Sequence, residues 1–157
     1  MTENGKRWAY DDFEVGMVLD LGSMAVRAEE IIEFAQQFDP QPMHLDEKAG
    51  EASVLGGLSA PGFHIAAMMM RLMCDGIVLD STSQGAPGVE FLNWRRPVLA
   101  GDTISLTMTV QAKRPSKSRP NLGLVTVRQD LSNQRGERVC EMVSTVMFLK
   151  RNGGEDR

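Results

Sequence analysis

Two side chains in this 157-residue sequence could handle protons together: Asp39 and His44, the ends of Asp39-Pro40-Gln41-Pro42-Met43-His44. A carboxylate beside an imidazole offers two groups that can touch one water and move its protons. In a continuous helix a five-residue spacing would place them about 140° apart around the axis. Pro40 and Pro42 forbid that helix. A proline-constrained loop can instead aim both groups into one cavity. The same residues also fit a plainer role, in which Asp39 caps a turn and His44 makes an ordinary hydrogen bond.

The elements that must position this pair follow from periodicity. Ile31, Ile32, Phe34, Ala35 and Phe38 repeat at helical spacing while Glu29, Glu30, Glu33, Gln36 and Gln37 take the other face, which predicts a helix over 28–38 with an acidic first turn. Pro40 ends it near Asp39. Residues 45–49 open a short polar helix. A second major helix begins after Gly56-Gly57-Leu58-Ser59-Ala60-Pro61-Gly62, with Ser59 as the expected N-cap and Pro61 in the first turn. It runs to Asp75-Gly76, apolar nearly all round, and so reads as buried. Strands are expected over 17–26, 89–94, 103–112, 122–131 and 138–150, where Val, Thr, Leu and Ile dominate between turn signals. Helices first and strands second suggest α+β, with an antiparallel sheet curled around the apolar helix.

Composition narrows the function classes. Lys and Arg total 17 against 21 Asp and Glu, a net charge of −4, so a nucleic-acid footprint is not expected. Cys74 and Cys140 form no framework and no CxxC, which reads as inert core thiols in a reducing, cytoplasmic setting. With two separated histidines, a zinc site is not expected either. Residues 1–7 are mixed in charge with no apolar run behind them, and no stretch of about 20 apolar residues is anticipated, so neither export nor membrane insertion is expected. The length suits one domain, with a core over about 10–150 and short flexible tails.

The run Phe34–Asp46, the glycine-rich 56–62 and Arg96-Pro97-Val98-Leu99-Ala100-Gly101-Asp102-Thr103 together resemble the MaoC-like dehydratase family, which includes the (R)-specific enoyl-CoA hydratases. The likeness spans about Tyr10 to Leu149, and its most specific part is the motif Asp-x-Asn-Pro-x-His. It implies a hot-dog fold, in which the sheet wraps the long helix. It implies that Asp39 and His44 hold one water and add it across a trans-2-enoyl thioester, with Asp39 the expected base, His44 the proton relay and the two roles exchangeable. It also implies that the Gly62 amide receives the thioester oxygen, as an unpaired first-turn amide would. Gln41 stands where the motif has asparagine, and can hold the water, orient Asp39 or narrow the pocket. Ala67 stands where some relatives have serine, and Pro61 where hydratases often have histidine. His64 is therefore read as a satisfied core or interface histidine.

No cofactor is implied beyond coenzyme A carried as part of an acyl-CoA substrate. Arg95, Arg96, Lys117 and Arg119 are the candidate phosphate donors, against a reading as solvated turns. Met68-Met69-Met70 could line an acyl tunnel, with core packing favoured. A hydratase is the leading expectation, giving an (R)-3-hydroxyacyl-CoA. An acyl-CoA thioesterase and a non-catalytic acyl-thioester-binding protein are the alternatives on the same fold. Homo-oligomerisation is expected, with the strand over 138–150 as the free edge.

Overall fold

The computed structural model describes residues 5–154; the expectations about the extreme tails, including the start of the N-terminal segment, lie outside it. Five antiparallel strands form one sheet in the order β1-β3-β4-β5-β2: β1 Val18–Ala25, β2 Val89–Trp94, β3 Thr103–Pro115, β4 Leu122–Ser132 and β5 Arg138–Leu149. The helices are α1 Ala28–Phe38, α2 Glu47–Ala52 and α3 Gly62–Gly76. This is the expected α+β hot-dog arrangement, with α3 lying against the sheet. The core gathers Ile65, Met69 and Leu72 of α3 with Ile104, Leu106, Val127 and Leu131 of the sheet. Alternation on β3 is as the sequence predicts: Ile104, Leu106, Met108 and Val110 are buried, whereas Thr103, Thr107 and Gln111 are exposed.

Three expectations change. First, β5 is interior, flanked by β4 and β2; the edges are β1 and β2. The length of the last strand marked it as a possible edge, but strand order depends on long-range pairing that periodicity does not encode. Second, α3 is not buried all round. Met68 and Met69 pack into the core, while Phe63 is 71% exposed, Met70 is 46% exposed and Ala67 lies between them on the outward face. The helical stretch Gly62–Asp80 is long and apolar enough to cross a membrane by length and composition alone, contrary to expectation, yet its inner face is accounted for by the sheet. Third, Ser59 does not cap α3. Pro61 holds the cap position without a side-chain bond, because residues 58–60 are drawn instead into pairing with 98–100.

That pairing is a small extension of the sheet. Ala60 N–H donates to Val98 O at 2.8 Å and Ala100 N–H to Leu58 O at 2.9 Å. The strip at 98–100 is fixed in turn by buried Asp102, whose Oδ2 accepts from Leu99 N–H, and by Gly101, which turns at φ +92° and donates to Val26 O. From the other side α2, capped by Asp46 accepting from Ala49 N–H, presses Gly50 onto the backbone of Gly57 and Leu58.

His64 is buried, as expected, and stacks on Phe34 of α1 at 4.9 Å and 12° between planes. It is not satisfied: its Nδ1 has no hydrogen-bond partner. Burial pushes its pKa below the ordinary imidazole value, with Glu30 acting weakly in the opposite sense. Cys140 is a core thiol, raised to about 11 by burial, whereas Cys74 is only partly buried.

Two stability predictions follow from this packing. A Cβ at position 50 would collide with the Gly57 carbonyl, and neither backbone can yield cheaply. Gly50→Ala should lower the unfolding free energy by about 1–3 kcal/mol, read from urea denaturation. For His64 the folded pKa lies below the unfolded one, so the unfolded chain binds the proton more readily. Its contribution is complete above the unfolded value of about 6.5 and is lost as pH falls below it. His64→Phe should accordingly show a shallower fall in urea midpoint between pH 7 and 5 than the parent protein; parallel slopes would contradict this.

Candidate active site

Three element ends meet at one cleft of about 540 Å³, bounded by Asp39, Gln41, His44, Ser59, Gly62 and Trp94, among others. Asp39 is the residue on which α1 ends, its N–H still bonded to Ala35 O at 2.9 Å. The chain then turns sharply: Gln41 N–H donates to Asp39 O, and Pro42–His44 forms a single 3₁₀ turn begun by Pro42. The prolines thus stop the helix and start a tighter turn that swings His44 back toward Asp39. His44 Nε2 lies 3.5 Å from Asp39 Oδ2.

The imidazole is 5% exposed and its orientation is fixed by Ser59, 15 residues onward. His44 Nδ1 lies 2.6 Å from the Ser59 carbonyl oxygen, which can only accept, so Nδ1 carries the proton. A neutral His44 therefore turns the lone pair of Nε2 toward Asp39 and the cleft. Gln41 takes the second of the roles open to it: its Nε2 donates to Asp39 Oδ1 at 2.6 Å, leaving Oδ2 for the cleft. The ordinary turn and hydrogen-bond roles are thus both present, and they serve to aim the pair rather than replace it.

Gly62 is the first residue of α3, preceded by a proline that has no amide hydrogen. Its N–H belongs to a helix turn that has no intrahelical acceptor for it. Gly62 and the Asp39/His44 pair line the same cleft. Apolar Leu55, Ala60, Phe63, Ile65 and Pro97 supply much of the remaining wall.

Arg95 and Arg96 also border the cleft, and both are more than half exposed. Neither is free: Arg95 bonds to Glu141, and Arg96 lies 3.2 Å from Glu137. Glu141 is 4% exposed and also meets Arg128 and Arg138; hydrogen bonding from Arg95 holds its carboxyl below the usual range. Lys117 and Arg119 are not brought to this cleft. They sit in the turn between β3 and β4, beside the Leu122–Leu149 pair, whereas Arg95 bonds to Val139 at the far end of β5. Eleven residues of β4 separate the two ends, about 35 Å at strand rise. Neighbouring Lys113 is committed elsewhere, donating to the carbonyls of Tyr10 and Phe13. Ser59 and Trp94 are the site residues that sequence reasoning missed; the bridge that recruits Ser59 and the indole that reaches Gly62 are both long-range contacts.

Comparison with known proteins agrees with this geometry. The model of the FAS1-like dehydratase domain region matches residues 14–142. The uncharacterized protein YdeM of Bacillus subtilis (strain 168) is 30% identical over 141 residues, covering 89% of this chain and 98% of its own. A MaoC-like dehydratase from Rhodospirillum rubrum has a TM-score of 0.84 at 41% identity, covering 91% of this chain and 97% of that one. The unliganded R-hydratase PhaJ1 from Pseudomonas aeruginosa shares the fold, with a TM-score of 0.73 at 22% identity over 91% of this chain and 86% of that one. Since the dehydratase model spans most of the sequence and the fold matches that of its relatives throughout, the chain belongs to the MaoC-like dehydratase family of hot-dog proteins.

Proposed function

We propose that this protein is a hydro-lyase that adds water reversibly to a trans-2-enoyl thioester, of coenzyme A or a related carrier, to give an (R)-3-hydroxyacyl product. The observation that carries this reading is the pairing of His44 Nε2 with Asp39 Oδ2 at 3.5 Å, with the imidazole tautomer set from behind by Ser59. One water can touch both groups. Its oxygen attacks C3, its proton passes to Nε2, and the C2–C3 π pair moves onto the thioester oxygen. The Gly62 N–H, at the positive end of α3, stabilises that enolate. Collapse of the enolate returns the π pair to C2, which takes the proton from His44. The water's second hydrogen stays on the oxygen as the product's 3-hydroxyl, donating to Asp39, whose charge offsets that of the transient imidazolium. The step balances without a further reactant.

Arg95 and Arg96 are placed to meet carrier phosphates at the cleft mouth, exchanging or sharing their carboxylate partners. Lys117 and Arg119 have no part in the cleft of their own chain. Asp39→Asn and His44→Ala should each lower kcat on crotonyl-CoA by about 10²–10⁴-fold with unchanged circular dichroism. The readout is loss of enoyl-thioester absorbance, with free thiol followed in parallel. Parent-like turnover by both variants would remove the mechanism, and thiol release without hydration would assign a thioesterase.

The protein is also proposed to work as a homodimer. Edge strand β2 exposes Val89, Phe91 and Trp94, and Trp94 meets the exposed Phe63 of α3 edge-on. A twofold pairing of β2 with its copy would cover the apolar face and satisfy the open edge. Light scattering at micromolar concentration should give twice the mass of one chain, and a stable monomer would contradict this.

A further inference from the structure

We infer that Trp94 is a positioning residue for the Gly62 amide; this rests on the hydration reading above. Trp94 ends β2 and is tied to the sheet through its register partner Cys140 on β5, and the next residue, Arg95, donates its N–H to Val139 O. From that anchored base the indole crosses to the start of α3. Its Nε1–H donates to the Gly62 carbonyl at 2.8 Å. Its six-membered ring also lies against the Cα of Gly62: a Cβ built there would meet Cε2 at 2.8 Å and Cζ2 at 2.9 Å. The same ring system therefore grips the glycine at two points, one polar and one steric. Phe63 meets the indole edge-on at 5.6 Å and 79°, which supports the ring from the helix side.

The two contacts explain why position 62 takes glycine, since the indole fills its side-chain space and no positive φ requires it. They also bear on catalysis. A donor stabilises an enolate only if it is aimed at where the charge develops, and an amide in a helix's first turn has neighbours on one side only. Pro61 cannot donate and offers no side-chain cap, so the first turn of α3 has no capping bond of its own. Trp94 supplies the missing restraint from the sheet. It fixes the Gly62 residue without occupying its N–H, which stays available to the cleft.

The test separates the hydrogen bond from the steric contact. Trp94→Phe keeps an aromatic ring but cannot donate; kcat for crotonyl-CoA hydration should fall about 3–10-fold, with KM within about twofold and the urea midpoint held. Gly62→Ala should cost about 10²-fold in the parent background. Added to Trp94→Ala it should cost less than about threefold, because the atoms it would strike are gone. Asp39→Asn runs alongside as the control. If Asp39→Asn is inactive while Trp94→Phe keeps parental kcat, or changes KM alone, the inference fails and the hydration reading stands. Equal Gly62→Ala losses in both backgrounds would likewise overturn the inference. If Asp39→Asn and His44→Ala also turn over at the parental rate, the hydration reading fails and takes the inference with it.

Discussion

The site depends on one buried hydrogen bond, from His44 Nδ1 to the carbonyl of Ser59. Because the acceptor is a backbone carbonyl it admits only one tautomer, and the chemistry available at Nε2 is decided by an atom on the other side of the ring. The bond is as firm as the carbonyl's own position. Residues 58–60 are held against 98–100, and 98–100 are held by the Gly101-Asp102 turn to Val26 and to β3. Moving that carbonyl would leave the buried imidazole donor only the Ser59 hydroxyl, 3.2 Å from Nδ1, as an acceptor. Folding and tautomer selection are therefore the same event at this position.

A common pattern runs through the other functional groups: each is aimed by a polar partner from a different part of the chain, or from the far side of a proline. Gln41 takes one oxygen of Asp39 and leaves the other; Trp94 takes the carbonyl of Gly62 and leaves the amide. The candidate chemistry sits at element ends, where α1 stops, a 3₁₀ turn closes and α3 starts. Such ends carry backbone groups that secondary structure does not satisfy, so they are where hydrogen bonds remain to be spent on orientation. Arg95 and Arg96 show the opposite economy. Their charges are matched by Glu141 and Glu137, which keeps an otherwise repulsive cluster of arginines together at the cleft rim.

What the sequence made legible was local. The two prolines that bracket Gln41 act within a few residues, so the helix end at Asp39 and the turn at His44 could be placed from spacing alone, and the strand limits followed from alternation to within a few residues. What it hid was long-range. Ser59 looks like a helix cap until the strip at 98–100 competes for its backbone; β5 looks like an edge until β2 pairs with it. The apolar letters of α3 do not distinguish a face covered by the sheet from one left open, because Phe63 and Met70 are as hydrophobic as Met68 and Met69. Likewise the basic letters at Lys117 and Arg119 look equivalent to those at Arg95 and Arg96, and only the length of β4 places them at the other end of the sheet.

The cleft's two-sidedness bears on stereochemistry. Its polar groups, Asp39, Gln41, His44 and Ser59, come from the segment between α1 and α3, and Phe63, Ile65 and Trp94 from the helix start and sheet edge form an apolar wall. On the proposed hydration, an enoyl chain would favour the apolar wall and the water the acceptors opposite. With its thioester oxygen at Gly62, such a chain would present one face of its double bond to the Asp39/His44 pair and turn the other toward carbon. Water delivered from a fixed pair cannot reach the second face without releasing both hydrogen bonds, and a substrate turned over would lose the Gly62 donor. On the proposed hydration, a single product configuration would follow from the placement of these three groups.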